Sequence, residues 1–215
     1  MQRPRIPALV VLSGGQDSTT CLYWALDQFG AGAVEALTFD YGQRRRIEID
    51  CAVKVAARAG VPQTILPINT FAALGGNALT EARIAVQSGV NSRTRLPNTF
   101  VPGRNLIFLT FAAAFAYPRA IHHLVTGVAQ TDYSGYPDCR QTTLQALEQT
   151  LQLGMDYDLT LHAPLMFKSK ADTVLMAHDL GAWAALADTH TCYHGQQPPC
   201  GKCSACVLRA TGFAE

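Results

Sequence analysis

Short apolar runs alternate with amphipathic stretches along most of the chain. The runs are rich in β-branched residues and are bounded by glycine, proline or polar residues, which predicts buried strands. The strands are expected at residues 8–12, 33–39, 64–68, 121–128 and 157–163. The helices are expected at residues 18–29, 44–59, 105–118, 142–153 and 170–180. Strands that alternate with helices predict an α/β fold with a mostly parallel, five-stranded sheet.

Residues 70–101 interrupt this alternation. They contain Gly75, Gly76, Gly89 and Pro97 and show little periodicity. A long irregular stretch inside a compact domain is usually a functional lid or a mobile loop, and we expect one of these here.

Composition narrows the class of protein. The chain has 215 residues, of which 48% are hydrophobic and 15% charged, so it is expected to fold rather than to be disordered. Seventeen basic and sixteen acidic side chains give a net charge of +1, which argues against broad binding of nucleic acid through phosphates. Because the chain has no run of 18 apolar residues and no signal-peptide core, we expect a soluble cytoplasmic protein without membrane contact.

The segment from Ser13 to Ser18, Ser-Gly-Gly-Gln-Asp-Ser, lies between the first predicted strand and the first predicted helix. Its two glycines allow unusual backbone angles and a close approach to a ligand, and a helix N-terminus favours an anion. The segment lacks the Gly-Lys-Ser/Thr of ordinary phosphate loops and the spaced glycines of a dinucleotide site. Asp17 would repel a polyphosphate unless a cation intervened, so we infer Mg²⁺ beside Asp17. The alternative is a tight structural turn.

Four of the seven cysteines crowd into fifteen residues near the end of the chain. They are Cys192, Cys200, Cys203 and Cys206. Four thiolates without an open position indicate a structural Zn²⁺ ion. Closely spaced cysteines also hold iron–sulfur clusters, and His190 or His194 could replace one cysteine, so these alternatives stay open. We therefore expect an α/β domain over residues 1–185 and a small zinc-binding segment over residues 186–215.

Three further segments contain candidate ligand-binding residues. Arginines 44–46 stand at a predicted helix N-terminus, where they either bind an anion or form a solvated face with Glu48 and Asp50. Arg104 stands where a loop meets a helix and can point at an anion. Asp132 and Asp138 follow the fourth predicted strand, where open α/β sheets bind ligands.

Either aspartate could accept hydrogen bonds from a guanine-like base, with a neighbouring tyrosine stacked on its face. The alternative is that both aspartates cap turns.

The segment from Ser13 to Ser18 resembles the pyrophosphate-binding loop of the ATP pyrophosphatase superfamily. Together with the other motifs, it resembles the 7-cyano-7-deazaguanine synthase family of queuosine and archaeosine biosynthesis. The resemblance covers residues 13–22, 39–50, 98–111, 126–140, 164–165, 170–171 and 191–213. It implies a Rossmann-like three-layer sandwich of the adenine nucleotide α-hydrolase type, ATP, Mg²⁺, one Zn²⁺ and a homodimer.

The resemblance also implies an activity and its residues. ATP would activate 7-carboxy-7-deazaguanine by adenylation, ammonia would form an amide, and a second activation would give the nitrile. The nucleotide-binding residues would be Leu12, Ser13, Gly14, Gly15, Gln16, Asp17, Ser18, Thr19, Thr20, Cys21 and Leu22. The catalytic residues would be Asp17, Arg104 and Lys170. The substrate-binding residues would be Tyr41, Gln43, Arg44, Asp132, Tyr136 and Asp138. Lys170 would be a second phosphate contact, and its alternative is a solvated surface lysine.

Two other functions stay open at this point. A tRNA-modifying thiolase of the same superfamily would need a basic face and a redox-competent cysteine pair, and the net charge of +1 argues against it. A nucleotide-binding regulator with a zinc-held interaction module would bind ATP without turning it over. Release of pyrophosphate or AMP would separate the enzyme from the regulator.

Overall fold

The computed structural model describes residues 7–43, 46–68, 70–75, 78–80, 83–86, 90, 92–93, 95–131 and 136–214. The strands are β1 (Ala8–Val11), β2 (Val34–Asp40), β3 (Gln63–Pro67), β4 (His123–Val125) and β5 (Thr160–His162). They form one sheet in the order β3-β2-β1-β4-β5, and all its pairings are parallel. The prediction of a five-stranded α/β sheet is confirmed.

Eight helices occur in the described ranges. They are α1 (Gln16–Phe29), α2 (Ile47–Ala59), α3 (Phe71–Leu74), α4 (Arg104–Ala116), α5 (Gln141–Met155), α6 (Lys170–Asp179), α7 (Trp183–Leu186) and α8 (Ser204–Ala214). Single 3₁₀ turns are formed by Tyr117–Arg119 and Pro137–Cys139. None of the helices in these ranges is both long enough and apolar enough to cross a bilayer.

Helices cover both faces of the sheet. Leu9 in β1 packs on the face that also buries Ala112 of α4. Its neighbour Val10 points to the opposite face, among Leu22 of α1 and Val55 of α2. Successive strand residues point to opposite faces, so the continuous apolar runs of the strands are those of a sheet buried on both sides. The three-layer sandwich is confirmed.

Several element ends differ by one to three residues from the sequence expectation, and two of them have a clear cause. Strand β4 stops at Val125 rather than at residue 128, because the chain there turns towards the start of α1. Helix α5 was expected to end at residue 153, closed by Gly154, but continues to Met155. It ends at Asp156, which adopts a left-handed conformation (φ 46°) and donates its N–H to the carbonyl of Gln152. An aspartate tolerates that conformation better than most residues do.

The C-terminal segment contains a helix that the sequence analysis did not predict. Helix α8 begins directly after Cys203 and packs on α6 so closely that a Cβ on Gly212 would lie 2.8 Å from Cβ of Lys170. The proposed boundary at residue 185 stays a prediction. Residues 70–101 contain one short helix, α3, among their described parts, and their role as a lid also stays a prediction.

A histidine pair lies on the α1 side of the sheet. Nδ1 of His123 lies 3.0 Å from Nε2 of His162, and the rings pack against Phe29 and Trp24. Burial lowers the pKa of both imidazoles, and the charge of a neighbouring histidine lowers each of them further. The hydrogen bond between the two nitrogens also needs one of them to be unprotonated.

This pair should make the protein acid-sensitive. A depressed pKa in the folded state means that the neutral pair stabilises the fold above the ordinary histidine pKa of about 6.5, and that this stability is lost as the pH falls. We expect His162→Phe to weaken the dependence of the melting temperature on pH below that value. His178→Gln, at an exposed histidine, is the control and should leave the dependence unchanged. An unaltered slope in His162→Phe would contradict this account.

Candidate functional site

The segment from Ser13 to Ser18 joins β1 to α1 at the carboxyl edge of the sheet. The hydroxyl of Ser18 accepts a hydrogen bond from the backbone N–H of Ser13 at 3.1 Å and donates one to the carbonyl of Gly15 at 3.1 Å. Gly15 precedes the first residue of α1 without a side-chain cap. The first N–H groups of a helix have no partner within it, so this turn presents donors and a positive dipole end to an anion.

Gly14 is held where no other residue fits. Its φ is 84°, and a Cβ there would collide with the main-chain oxygen of Glu48 and lie 2.8 Å from N of Ala52, both in α2. The carbonyl of Gly14 accepts a hydrogen bond from the N–H of His190 at 3.0 Å. Two segments distant in sequence are thus pressed against this turn.

Gly127, which follows β4, approaches the same loop from the other side. A Cβ on Gly127 would lie 2.9 Å from N of Ser18 and 3.1 Å from C of Asp17. The absence of a side chain therefore lets the chain after β4 pass directly beside the start of α1.

A cleft of about 890 Å³ opens at this edge of the sheet. The loop residues Ser13, Gln16 and Asp17 line it, and so do side chains from the ends of β2 and β4 and from the starts of α2, α4 and α6. The C-terminal segment contributes a further wall, from His190 to Gly195 and again around α8. The position agrees with the rule that open α/β sheets bind ligands outside the carboxyl ends of their strands.

Asp17 and Lys170 meet in the cleft. Nζ of Lys170 lies 2.7 Å from Oδ2 of Asp17, and the side chains are 15% and 25% exposed. Oδ1 of Asp17 is buried and has no hydrogen-bond partner among the described residues. A carboxylate oxygen of this kind suits Mg²⁺, which commonly takes one protein carboxylate together with substrate phosphates. Lys170 is therefore not a solvated surface lysine.

Two arginines add positive charge to the cleft. Cζ of Arg104, at the start of α4, lies 6.0 Å from the centre of the Tyr41 ring. Burial alone would lower the pKa of Arg104, but the hydroxyls of Tyr41, Tyr136 and Tyr193 and the carboxyl of Asp138 raise it above its usual range. Arg209 of α8 donates to Oγ1 of Thr189 at 2.7 Å and to the carbonyl of Leu186 at 2.9 Å, which fixes its guanidinium.

Glu48 also lines the cleft, from the first turn of α2. Burial raises the pKa of its carboxyl to about 7, although the nearby charge of Arg104 lowers it. The sequence analysis treated Glu48 only as a surface partner for arginines. A glutamate in a charged run gives no sequence signal of burial, so this residue was missed.

Of the remaining expected substrate-binding residues, some line the cleft and others lie outside the described part of the chain. Tyr41, Gln43 and Tyr136 line the cleft. Gln43 holds the turn after β2, because its Oε1 accepts from N of Tyr41 at 2.8 Å and its Nε2 donates to the carbonyl of Phe39 at 3.3 Å. Arg44 and Asp132 lie outside the described residues.

Asp138 is buried, and its Oδ2 accepts a hydrogen bond from the backbone N–H of Asn105 at 3.1 Å. It thereby satisfies a donor at the start of α4 and does not line the cleft. This geometry favours the capping alternative for Asp138 over contact with a base.

The four C-terminal cysteines come together as the spacing predicted. Their sulfur atoms all lie within 4.8 Å of one another, and Sγ of Cys200 lies 3.8 Å from Sγ of Cys206. Zinc–sulfur bonds of about 2.3 Å give a tetrahedral edge of about 3.8 Å, so the cluster fits a zinc ion. A multi-iron cluster would hold the sulfurs on separate irons and further apart. His190 is not in the group, and its Nε2 lies 3.2 Å from the carbonyl of Cys192.

Backbone N–H groups favour the thiolate form of one cysteine in this cluster. Those of Lys202 and Cys203 donate to Sγ of Cys200 at 3.4 and 3.3 Å and lower the pKa of the Cys200 thiol to about 6. The thiolate is the form that binds zinc.

Comparison with known proteins identifies the family. The sequence profile of the family described as "Queuosine biosynthesis protein QueC" matches residues 7–215. A relative from Chromobacterium violaceum, named 7-cyano-7-deazaguanine synthase, is 71% identical over 208 residues, which are 97% of this chain and 89% of that relative. The chain belongs to the QueC family. A further relative in this family, of the same name and from Laribacter hongkongensis, is 67% identical over 97% of this chain and 90% of its own length.

Two solved structures share the fold of this QueC-family chain. One is described as a "predicted subunit of tRNA methyltransferase" from Methanocaldococcus jannaschii, with a TM-score of 0.51, 16% identity, and coverage of 82% of this chain and 74% of that one. The other is NMN synthetase from Francisella tularensis, with a TM-score of 0.50, 12% identity, and coverage of 91% and 70%. At these identities the likeness concerns the fold alone.

The close packing at Gly14 predicts an unequal cost of two glycine substitutions. Gly60 has a left-handed conformation (φ 66°) with open space around it, so Gly60→Ala should cost only the backbone strain of about 1–2 kcal/mol. Gly14→Ala adds a collision with the α2 backbone and should lower the free energy of unfolding by clearly more. Chemical denaturation of both variants checks this, and equal losses would contradict the described packing.

The cysteine cluster predicts a coupled loss of metal and stability. Cys203→Ser should lower zinc content and the melting temperature together, because formation of a metal site is coupled to folding. Elemental analysis and thermal unfolding measure the two quantities. Cys139→Ser, outside the cluster, is the control and should keep its zinc. A metal-free Cys203→Ser protein with wild-type stability would remove the structural role.

Proposed function

We propose that this chain is an ATP-dependent ligase that converts 7-carboxy-7-deazaguanine and ammonia to 7-cyano-7-deazaguanine. Membership of the QueC family and the names of its relatives support the reaction. The observation that carries the proposal is the open helix N-terminus of α1 in the cleft, with Asp17 and Lys170 paired beside it. That arrangement suits a nucleotide polyphosphate.

The chain's own groups would bind and orient ATP. The turn at Gly14 and Gly15 and the first N–H groups of α1 would hold the pyrophosphate, with the hydroxyls of Ser13 and Ser18 as further donors. Lys170 and Arg209 would balance phosphate charge from the other walls of the cleft. Asp17 would hold Mg²⁺ through its unpartnered Oδ1, and bound Mg²⁺ would neutralise charge on the phosphates.

The reaction requires two activations. A carboxylate is a poor electrophile because oxide is a poor leaving group, so transfer of AMP to its oxygen supplies a good one. Ammonia then displaces AMP and forms the primary amide. The amide becomes a nitrile only when its own oxygen is also activated and lost. One phosphate site can serve both rounds in turn, and positioning with charge neutralisation would supply much of the rate.

Aromatic side chains form one wall of the cleft, and such a wall suits the flat ring of the proposed substrate. Phe39 and Phe108 lie stacked with ring centres 4.4 Å apart, and Tyr41 packs beside Phe108 at 5.2 Å. We place the deazaguanine near these rings and near Tyr136, with Arg104 available to its carboxylate. Gln43, Arg44 and Asp132 stay candidates for contacts to the base.

We further propose that the protein holds one structural zinc ion, forms a homodimer in the cytoplasm and binds no nucleic acid directly. The cysteine cluster supports the first of these and the net charge of +1 supports the last. The family resemblance supports the dimer.

The decisive experiment is product analysis. The purified protein is incubated with 7-carboxy-7-deazaguanine, an ammonium salt and MgATP, and the products are identified by mass spectrometry. Formation of the nitrile together with AMP or pyrophosphate supports the proposal. Binding of ATP without any turnover would indicate a nucleotide-binding regulator instead.

The metal assignment predicts the behaviour of an Asp17 variant. Asp17→Asn should abolish turnover and leave the protein folded, because loss of a Mg²⁺ ligand at a charged transition state costs several kcal/mol. Steady-state kinetics and thermal unfolding measure both effects. Asp27→Asn, an exposed aspartate on the same helix, is the control and should be fully active. An Asp17→Asn enzyme with nearly wild-type turnover would exclude a metal role for Asp17.

A further inference from the structure

Glu48 occupies a position in the cleft that the proposed binding of ATP does not use. Its main-chain oxygen is pressed against Gly14, so the first turn of α2 is fixed relative to the segment from Ser13 to Ser18. The residue lines the same cleft as Asp17 and Arg104. Its carboxylate has no hydrogen bond or ion pair within the described part of the chain, and Arg104 is the charge that acts on it.

The surroundings of Glu48 favour proton exchange at neutral pH. Burial raises the pKa of the carboxyl to about 7, so both the protonated and the ionised forms are populated there. Among the described residues, the titratable groups coupled electrostatically to it are Arg104 from α4, Tyr41 after β2 and Cys51 on its own helix. Burial raises the pKa of both Tyr41 and Cys51, so neither is a base near pH 7.

Several other acid–base groups of the cleft are already engaged, whereas His194 lines it as an exposed side chain. Asp17 is paired with Lys170, and Arg104 stays protonated because its pKa is raised. Nε2 of His190 lies 3.2 Å from the carbonyl of Cys192. A general base works best when its pKa lies near the operating pH, and Glu48 meets that condition.

We propose that Glu48 is the catalytic base that accepts the protons released when the amide and the nitrile form. This inference rests on the proposed function. When ammonia attacks the acyl adenylate, the C–N bond forms, the C–O bond to AMP breaks and one N–H proton passes to Glu48. The amide nitrogen then loses one proton as its oxygen is adenylated and a second as AMP leaves with the C–O electron pair. Glu48 returns each proton to solvent between steps.

Adenylation of the carboxylate needs no base, and this separates the role of Glu48 from the proposed function. Exchange of labelled pyrophosphate into ATP, dependent on 7-carboxy-7-deazaguanine, reports adenylation alone. Hydroxylamine is uncharged at neutral pH and reacts readily with acyl adenylates, so it traps the intermediate as a hydroxamate without much help from a base. Formation of nitrile from ammonia reports the complete reaction.

The test compares Glu48→Gln with wild type and with Asp50→Asn, an exposed carboxylate in the same helical turn. We expect Glu48→Gln to keep pyrophosphate exchange and hydroxamate formation close to wild type. Nitrile formation should fall at least about 100-fold, within the usual contribution of a general base. Asp50→Asn should resemble wild type in all three assays.

The pH profile gives a second readout that a structural role would not change. At a constant concentration of free ammonia, wild-type turnover should rise with pH through about 7 as Glu48 loses its proton, and this limb should disappear in Glu48→Gln. Nitrile formation near the wild-type rate in Glu48→Gln would overturn the inference. So would a joint loss of exchange and trapping, which would assign Glu48 to binding or folding. Absence of exchange in wild type would instead overturn the proposed function itself.

Discussion

The close contact around Gly14 is the constraint on which the site depends. The chain passes at this residue from β1 to α1. The backbone of α2 lies so close that a Cβ on Gly14 would collide with it, and the N–H of His190 donates a hydrogen bond to the carbonyl of Gly14. Gly127 makes a similar approach to the start of α1 from β4. Backbone positioned this tightly holds the N–H groups of the loop in a single arrangement, which is what recognition of a phosphate by main-chain donors requires.

The same contact explains why the C-terminal segment is part of the site. The N–H of His190 reaches Gly14, and α8 packs on α6 where Lys170 begins its helix. A metal bound by the four sulfurs would therefore stabilise one wall of the cleft and would fix Arg209 within it. The fold thus connects the cysteine cluster, which resembles a separate structural module, with the charges beside the segment from Ser13 to Ser18.

The charge states of the side chains in the cleft depend on their burial and on their neighbours as well as on the residue types in the sequence. Lys170 and Asp17 are 153 positions apart and meet at 2.7 Å. Arg104 stays cationic among tyrosine hydroxyls and the carboxyl of Asp138, while Glu48, partly removed from water, holds its proton more tightly than a surface glutamate does. The cleft therefore contains fixed cations, which suit the proposed anionic nucleotide, and the carboxyl of Glu48, whose pKa burial raises to about 7. The groups proposed for these separate functions stand at the starts of different helices.

The sequence by itself determined the alternation of strands and helices, the loop from Ser13 to Ser18 as a candidate phosphate site and the four cysteines of the candidate metal site. Each of these depends on residues close together in the chain, whose spacing carries the signal. Helix α8 was not predicted because its first turn contains Cys206, which the sequence analysis interpreted only as a metal ligand. The observed end of β4 depends on how near Gly127 comes to α1. The capping contact of Asp138, the histidine pair and the acidity of Glu48 were decided only by the tertiary structure. Burial and contacts between distant segments set these properties, and neither is encoded in local spacing.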